Sequence, residues 1–166
     1  YQKWKEVSEE FNPNDTYLLE LTKPIREQAA KAENLLDKNI IEMLNKERLI
    51  EIIHDFVVYD RGQKKFCRPN QYFGIKAAQE TLRNKEGGII WHTQGSGKSL
   101  TMVWLTKWIK EYNPNARILI VTDRDELDKQ IEKVYKGVSE DIYRCKPRNG
   151  KSGGAILIDK LNDAEP

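Results

Sequence analysis

His92-Thr93-Gln94-Gly95-Ser96-Gly97-Lys98-Ser99 is the stretch on which the reading of this chain turns. It keeps the spacing of a Walker A phosphate loop except at the first position, where His92 replaces glycine. Its surroundings have the required order. Gly88-Ile89-Ile90-Trp91 reads as a short buried strand, and Lys98 to Tyr112 reads as a helix with Met102, Leu105 and Ile109 on one face. In such a loop successive backbone N–H groups converge on the phosphates at a helix N-terminus. Gly95 and Gly97 permit the turn, Lys98 brings an ammonium to the β- and γ-phosphates, and the Ser99 hydroxyl ligates Mg²⁺. The expected ligands are therefore a nucleoside triphosphate and Mg²⁺, held by Thr93, Gln94, Gly95, Ser96, Gly97, Lys98, Ser99 and Leu100. Lys98 and Ser99 carry the catalytic expectation. A dinucleotide fingerprint fails, because Leu100 stands where its third glycine belongs.

Downstream of the loop, Asn113-Pro114-Asn115 breaks the helix. Arg117 to Thr122 reads as an apolar strand and Asp125 to Tyr135 as a helix. Ala155 to Ile158 reads as a third strand after the Gly150–Gly154 turn. Strand, helix, strand, helix, strand predicts an α/β fold with a parallel sheet, a partial RecA-like P-loop domain. Upstream the pattern is helical. Pro24 fits the first turn of a helix that carries Ile25, Ala29, Ala32, Leu36 and Ile40. Asn45 caps a second helix with Leu49, Ile52, Ile53 and Phe56, and His54 lies off that stripe. After a polar turn at Asp60–Gln63, Asn70 is placed to cap a third helix carrying Ile75, Ala78 and Leu82. The boundary is set near residue 63, with 1–62 as a helical lead-in and 63–166 as the beginning of the nucleotide-binding domain.

Composition sets limits. The 166 residues predict one domain, and 33% charged with 39% hydrophobic residues is an ordinary globular balance. The net charge of +2 has the sign that nucleic acid favours, with short basic runs at Lys64-Lys65-Arg68 and at Lys146, Arg148 and Lys151, but the same runs read equally as solvated turns. Cys67 and Cys145 form no Cys-x-x-Cys pair with His54 or His92 nearby in sequence, which argues against structural zinc and for a reducing, cytoplasmic compartment. No apolar run has the length of a bilayer span. The chain starts at Tyr1 without an initiator Met, which suggests a piece of something longer.

From Gly87 to Thr101 the sequence, GGIIWHTQGSGKSLT, resembles the Walker A segment of the restriction (R) subunit of type I restriction-modification enzymes, superfamily 2 translocases in which histidine at the first motif position is typical. Asp123-Arg124-Asp125-Glu126-Leu127-Asp128-Lys129-Gln130 resembles that family's next motor motif. Cys67-Arg68-Pro69-Asn70-Gln71-Tyr72-Phe73 resembles the approach to its first motor domain. The resemblance spans about residues 45 to 135. It implies that Gln71 recognises adenine through its carboxamide. It also implies ATP-driven translocation of double-stranded DNA coupled to endonucleolytic cleavage, with modification (methyltransferase) and specificity subunits as partners. The lead-in would then connect to an upstream nuclease domain. Ile158-Asp159-Lys160-Leu161 stands where the family shows a Thr-containing segment that approaches DNA, so a DNA contact through Thr is not expected there. No Asp-Glu-x-His box occurs, so the chain by itself is expected to bind nucleotide and to hydrolyse it poorly. Another superfamily 2 motor, such as a type III restriction subunit or a repair helicase, a small-molecule kinase, and a binding module with a vestigial P-loop remain open on the residues alone.

Overall fold

A computed structural model describes residues 4–8 and 14–162. Tyr1, on which the expectation about the chain's start rested, lies outside them. Among the described residues the elements run α1 (Thr16–Ala29), α2 (Leu35–Leu44), α3 (Lys46–Asp55), β1 (Val57–Asp60), β2 (Gln63–Phe66), α4 (Pro69–Arg83), α5 (Lys98–Tyr112), α6 (Asp125–Gly137) and α7 (Gly153–Asn162). Side-chain caps set the first three helix starts. Asp15 accepts from the Leu18 N–H at 3.2 Å, Asn34 from Asp37 at 2.9 Å, and Asn45 from Glu47 at 3.2 Å.

The upstream helix expected from Pro24 to Ile40 is two helices. Asp15 starts α1 well before Pro24, and buried Leu18 and Thr22 anchor the turns that lead into the proline, which therefore sits inside the helix. The chain leaves helix after Ala29, and Asn34 restarts it. The cap of α3 is Asn45, as its sequence signals. The polar turn at Asp60–Gln63 closes a hairpin. β1 and β2 pair antiparallel, Val57 with Phe66 and Asp60 with Gln63, and Arg61 and Gly62 both take the left-handed φ that a two-residue hairpin turn needs. Helix α4 starts two residues earlier than Asn70 predicts, with Arg68 as its cap and Pro69 in its first turn.

The parallel sheet is not present among the described residues. The single sheet is the antiparallel β1–β2 pair, so the domain is α/β with one small hairpin. The segments 88–91 and 117–122 pair with nothing in a ladder, and Ile89, Trp91, Leu119 and Val121 are exposed, whereas central parallel strands bury both faces. The third expected strand, Ala155–Ile158, lies inside α7, whose first turn is held by the Ser152 hydroxyl accepting from the Ala155 N–H at 3.2 Å. A short apolar run satisfies either periodicity, and a local cap decided this one for helix.

The core joins the two sides of residue 63. Phe56 lies between Tyr72 and Trp104, with ring centroids 5.0 Å and 6.3 Å away, and Trp4 packs on Tyr72 and Phe73. Arg48 is buried in the middle of this aromatic group. Its guanidinium lies 5.3–5.5 Å from the rings of Trp4, Tyr72 and Phe73 and pairs with Glu6 at 2.5 Å. The same guanidinium donates to the Glu42 carbonyl, tying α2, α3 and the Trp4–Ser8 segment to the face of α4. Helix α6 carries Ile131 and Tyr135 into the core, where the Tyr135 and Thr106 hydroxyls share a 2.8 Å hydrogen bond.

Candidate functional site

The phosphate-loop residues lie together at the N-terminus of α5, which begins at Lys98 as the sequence predicts. Gly97 is its cap, with φ at 86°, and Gly95 has φ at 78°, so both glycines occupy the left-handed region that ordinary side chains avoid. The Lys98 ammonium turns back over the loop and donates to the carbonyls of His92 at 3.2 Å and Thr93 at 2.9 Å. In the first turn of α5 the Leu100 N–H is taken by the Gly97 carbonyl, whereas the Lys98 and Ser99 N–H groups have no intrahelical acceptor by construction, and the helix dipole adds positive potential there. Ser96 Oγ is buried without a partner beside them.

Gln71 is the link between this loop and the rest of the fold. It is 2% exposed. Its Oε1 accepts from the Arg68 N–H at 2.8 Å, which is half of a capping box at the start of α4, and its Nε2 donates to the Gly97 carbonyl at 2.9 Å. A Cβ on Gly97 would meet that Nε2 at 2.5 Å, so the strut requires glycine on space as well as on φ. The Gly97 carbonyl also accepts from the N–H groups of Leu100 at 3.0 Å and Thr101 at 3.2 Å. One N–H and one lone pair of the carboxamide remain available. Arg68, noted in the sequence as part of a basic run and of the Cys67–Phe73 segment, reaches the loop as well and donates to the Gly95 carbonyl at 3.3 Å. His92 is half-buried. Its ring lies against Gly74, where a Cβ would come within 3.2 Å of Cε1 and Nε2, and its Nδ1 is buried without a partner.

The donor set suits an anion. Amides, an ammonium and a guanidinium converge on a loop whose own carbonyls now take up Lys98 and Arg68. The buried, unpartnered Ser96 hydroxyl is the kind of atom a phosphate oxygen would satisfy. For Mg²⁺ the fit is narrower. Ser99 offers one hydroxyl, and among the described residues the one cluster with metal-ligand geometry, His54, Asp55 and Glu111, sits at the far end of α5. Cys67 is buried in the wall near Gln71, and burial pushes its thiol up to about 12, so it offers no thiolate to a metal at neutral pH.

The second motor-like segment, Asp123 to Gln130, runs through the Arg124 cap into the first turns of α6. Two of its carboxylates are held by Arg144, whose guanidinium donates to Asp125 at 3.0 Å and to Asp128, and beyond the segment to Glu132 at 3.1 Å. The Asp125 carboxyl is held below its usual range first by its hydrogen bond with Lys129, then by the surrounding cations. The Trp4–Arg48–Glu6 assembly behind α4 had no sequence signal, because its members are far apart in the chain and only packing brings them together.

A glycine-bearing loop with its lysine at a helix N-terminus is an arrangement that can hold an anion. The sequence profile of the SWI2/SNF2 ATPases matches residues 70–164, more than half of the chain, and the chain belongs to that family of superfamily 2 ATPases, for which nucleotide binding is implied. Among its relatives is the "Putative type I restriction enzyme MjaIXP endonuclease subunit" of Methanocaldococcus jannaschii, 34% identical over 122 residues, covering 66% of this chain and 12% of that protein. The correspondingly named MjaVIIIP subunit of the same organism is 30% identical over 167 aligned positions, 92% of this chain and 15% of the relative. The type I restriction enzyme HindI endonuclease subunit of Haemophilus influenzae is 29% identical over 144 residues, 76% of this chain and 14% of its own length. The chain thus spans between 12% and 15% of these relatives. No helix among the described residues is long and apolar enough to cross a membrane.

Proposed function

We propose that this chain is the nucleotide-binding part of the motor of a type I restriction endonuclease subunit, in which ATP hydrolysis drives double-stranded DNA past an anchored complex before the DNA is cut. The observation that carries the reading is the Lys98 ammonium poised over the His92–Gly97 loop at the N-terminus of α5, in a chain whose relatives are type I endonuclease subunits. In this reading Thr93 to Leu100 hold the phosphates, Lys98 neutralises charge on the β- and γ-groups, and Ser99 is the protein's ligand to Mg²⁺. The metal, when bound, offsets charge that develops on the transferring phosphoryl group. Gln71 presents its remaining N–H and lone pair to adenine while its other contacts fix the loop. Residues 1–62 serve as the lead-in from an upstream nuclease domain and 63–166 as the first portion of the motor. Modification and specificity subunits are the protein partners, and the setting is the cytoplasm.

The test is steady-state ATP hydrolysis with duplex DNA in the longer endonuclease subunit. Lys98→Ala is expected to lower turnover by a factor on the order of 100 or more, with the helical circular dichroism unchanged. Near-parental turnover removes the phosphate-loop assignment. The chain by itself is expected to bind ATP and to release phosphate negligibly, with or without DNA. Robust DNA-stimulated release from it overturns the view that the catalytic groups are incomplete here.

A further inference from the structure

Between α2 and the start of α4 lies an open cavity of ≈ 790 Å³, and its far end is the phosphate loop itself, through Gly97 and Leu100. One wall is the outer face of α2. Leu36, Ile40 and Leu44 recur there at helical spacing and stay uncovered, Leu36 being 63% exposed and Ile40 45%. On the opposite side is Gln71, with its spare hydrogen-bonding capacity, and the rim is basic, with Lys64 and Arg68. An apolar wall, a carboxamide on the other side and a cationic rim that continues into an anion-binding loop make one composite surface. It matches a ligand that is flat and apolar at one end and polyanionic at the other. The volume is that of a small-molecule site.

We propose that α2 is the wall against which the purine ring of a bound nucleotide packs, making Leu36, Ile40 and Leu44 determinants of nucleotide affinity. The inference rests on the nucleotide reading of the loop and extends it to a helix that carries none of the phosphate-loop or adenine-reading residues. It also explains why α2 keeps an uncovered apolar stripe while its opposite side is tied down. Glu42 is buried, with its carboxyl raised first by that burial, and the Glu42 carbonyl is fixed by Arg48.

Calorimetric titration of the chain with ATP and, separately, with inorganic tripolyphosphate tests this. Tripolyphosphate carries the charge and lacks the ring. The variants are Leu36→Ser and Ile40→Ser, at positions exposed enough to leave the fold intact, which circular dichroism checks. Each is expected to weaken ATP by about tenfold, the order expected from losing one apolar side chain's contact with a ring, and to leave tripolyphosphate affinity unchanged. ATP affinity equal to the parent's in both variants overturns the wall. Equal losses for both ligands also overturn it, because the effect then runs through the loop. Parent protein that binds tripolyphosphate as tightly as ATP shows that no ring is gripped, and overturns this inference while leaving the loop assignment standing. Parent protein that binds neither overturns both.

Discussion

Trp104 and Trp91 lie on either side of the same loop and end in opposite surroundings. Trp104 is 1% exposed, between Phe56 and the helices around it, and Trp91 is 89% exposed. Their neighbours follow them. Val103, Thr101 and Trp108 are buried along α5, and Ile89 and Gly88 are open to solvent. Gly88–Trp91 carries no polar side chain beyond its indole N–H while α5 carries lysines, a glutamate and threonines, so hydrophobicity does not explain which of them is buried. Backbone bonding does. A helix satisfies its own N–H and C=O groups and then needs only one face covered, whereas an extended segment needs neighbouring strands before it can be buried. Within the described residues α5 finds α3, α4 and α6 around it, and segments 88–91 and 117–122 find no strand.

The strongest way to break the comparison is Trp104→Ala. Removing a side chain enclosed by Phe56 and the core is expected to cost about 3–5 kcal/mol of unfolding free energy in urea. A cost near zero would mean that the helical half is no better packed than the extended segments. A second measurement sharpens what holds that half together. Arg48→Met keeps the stem among Trp4, Tyr72 and Phe73 and deletes the charge that Glu6 pairs with. Leaving one buried partner alone is expected to cost about 3 kcal/mol, and pairing it with a Glu6→Leu change is expected to recover much of that. If the single variant is neutral, the aromatic enclosure alone carries the packing and the ion pair is incidental. The smallest effect belongs to the other side. Trp91→Ser is expected to shift the same unfolding free energy by no more than about 0.5 kcal/mol, since the indole buries almost nothing here. A loss comparable with that of Trp104→Ala would show that Trp91 is buried in solution and would dissolve the contrast.

The candidate site was legible where its chemistry is local. The glycine spacing, the lysine and the helix that starts at Lys98 are all written in consecutive residues, and the structure places that helix start at the same residue. The Asn45 cap was equally local. Gln71 was singled out by the resemblance that Cys67–Phe73 carries, but its bonds to Arg68 N–H and the Gly97 carbonyl depend on how α4 meets α5, which no spacing in the sequence specifies. Arg68 to Gly95 is the same kind of contact. The sheet failed for the complementary reason. Gly88 to Trp91, Arg117 to Thr122 and Ala155 to Ile158 were read from composition, and a composition rich in branched and aromatic residues states a preference for extended backbone without supplying the partner that makes a strand. At Ala155 even the preference lost, to a single serine cap.

By itself, then, the sequence determined those features whose interacting groups lie within a turn of one another: the left-handed glycines, the lysine at a helix N-terminus, and the Asn45 cap. Their energies are set by backbone geometry over a few bonds, and any fold that contains the segment must satisfy them. Tertiary structure alone decided which apolar segments are covered, that the Arg48 guanidinium is enclosed by three rings and paired with Glu6, and that Gln71 braces Gly97 from another helix. Those contacts join residues tens of positions apart. Their free energy exists only once loop closure has brought the groups together and water has left, so they belong to the packed molecule and not to any stretch of its chain.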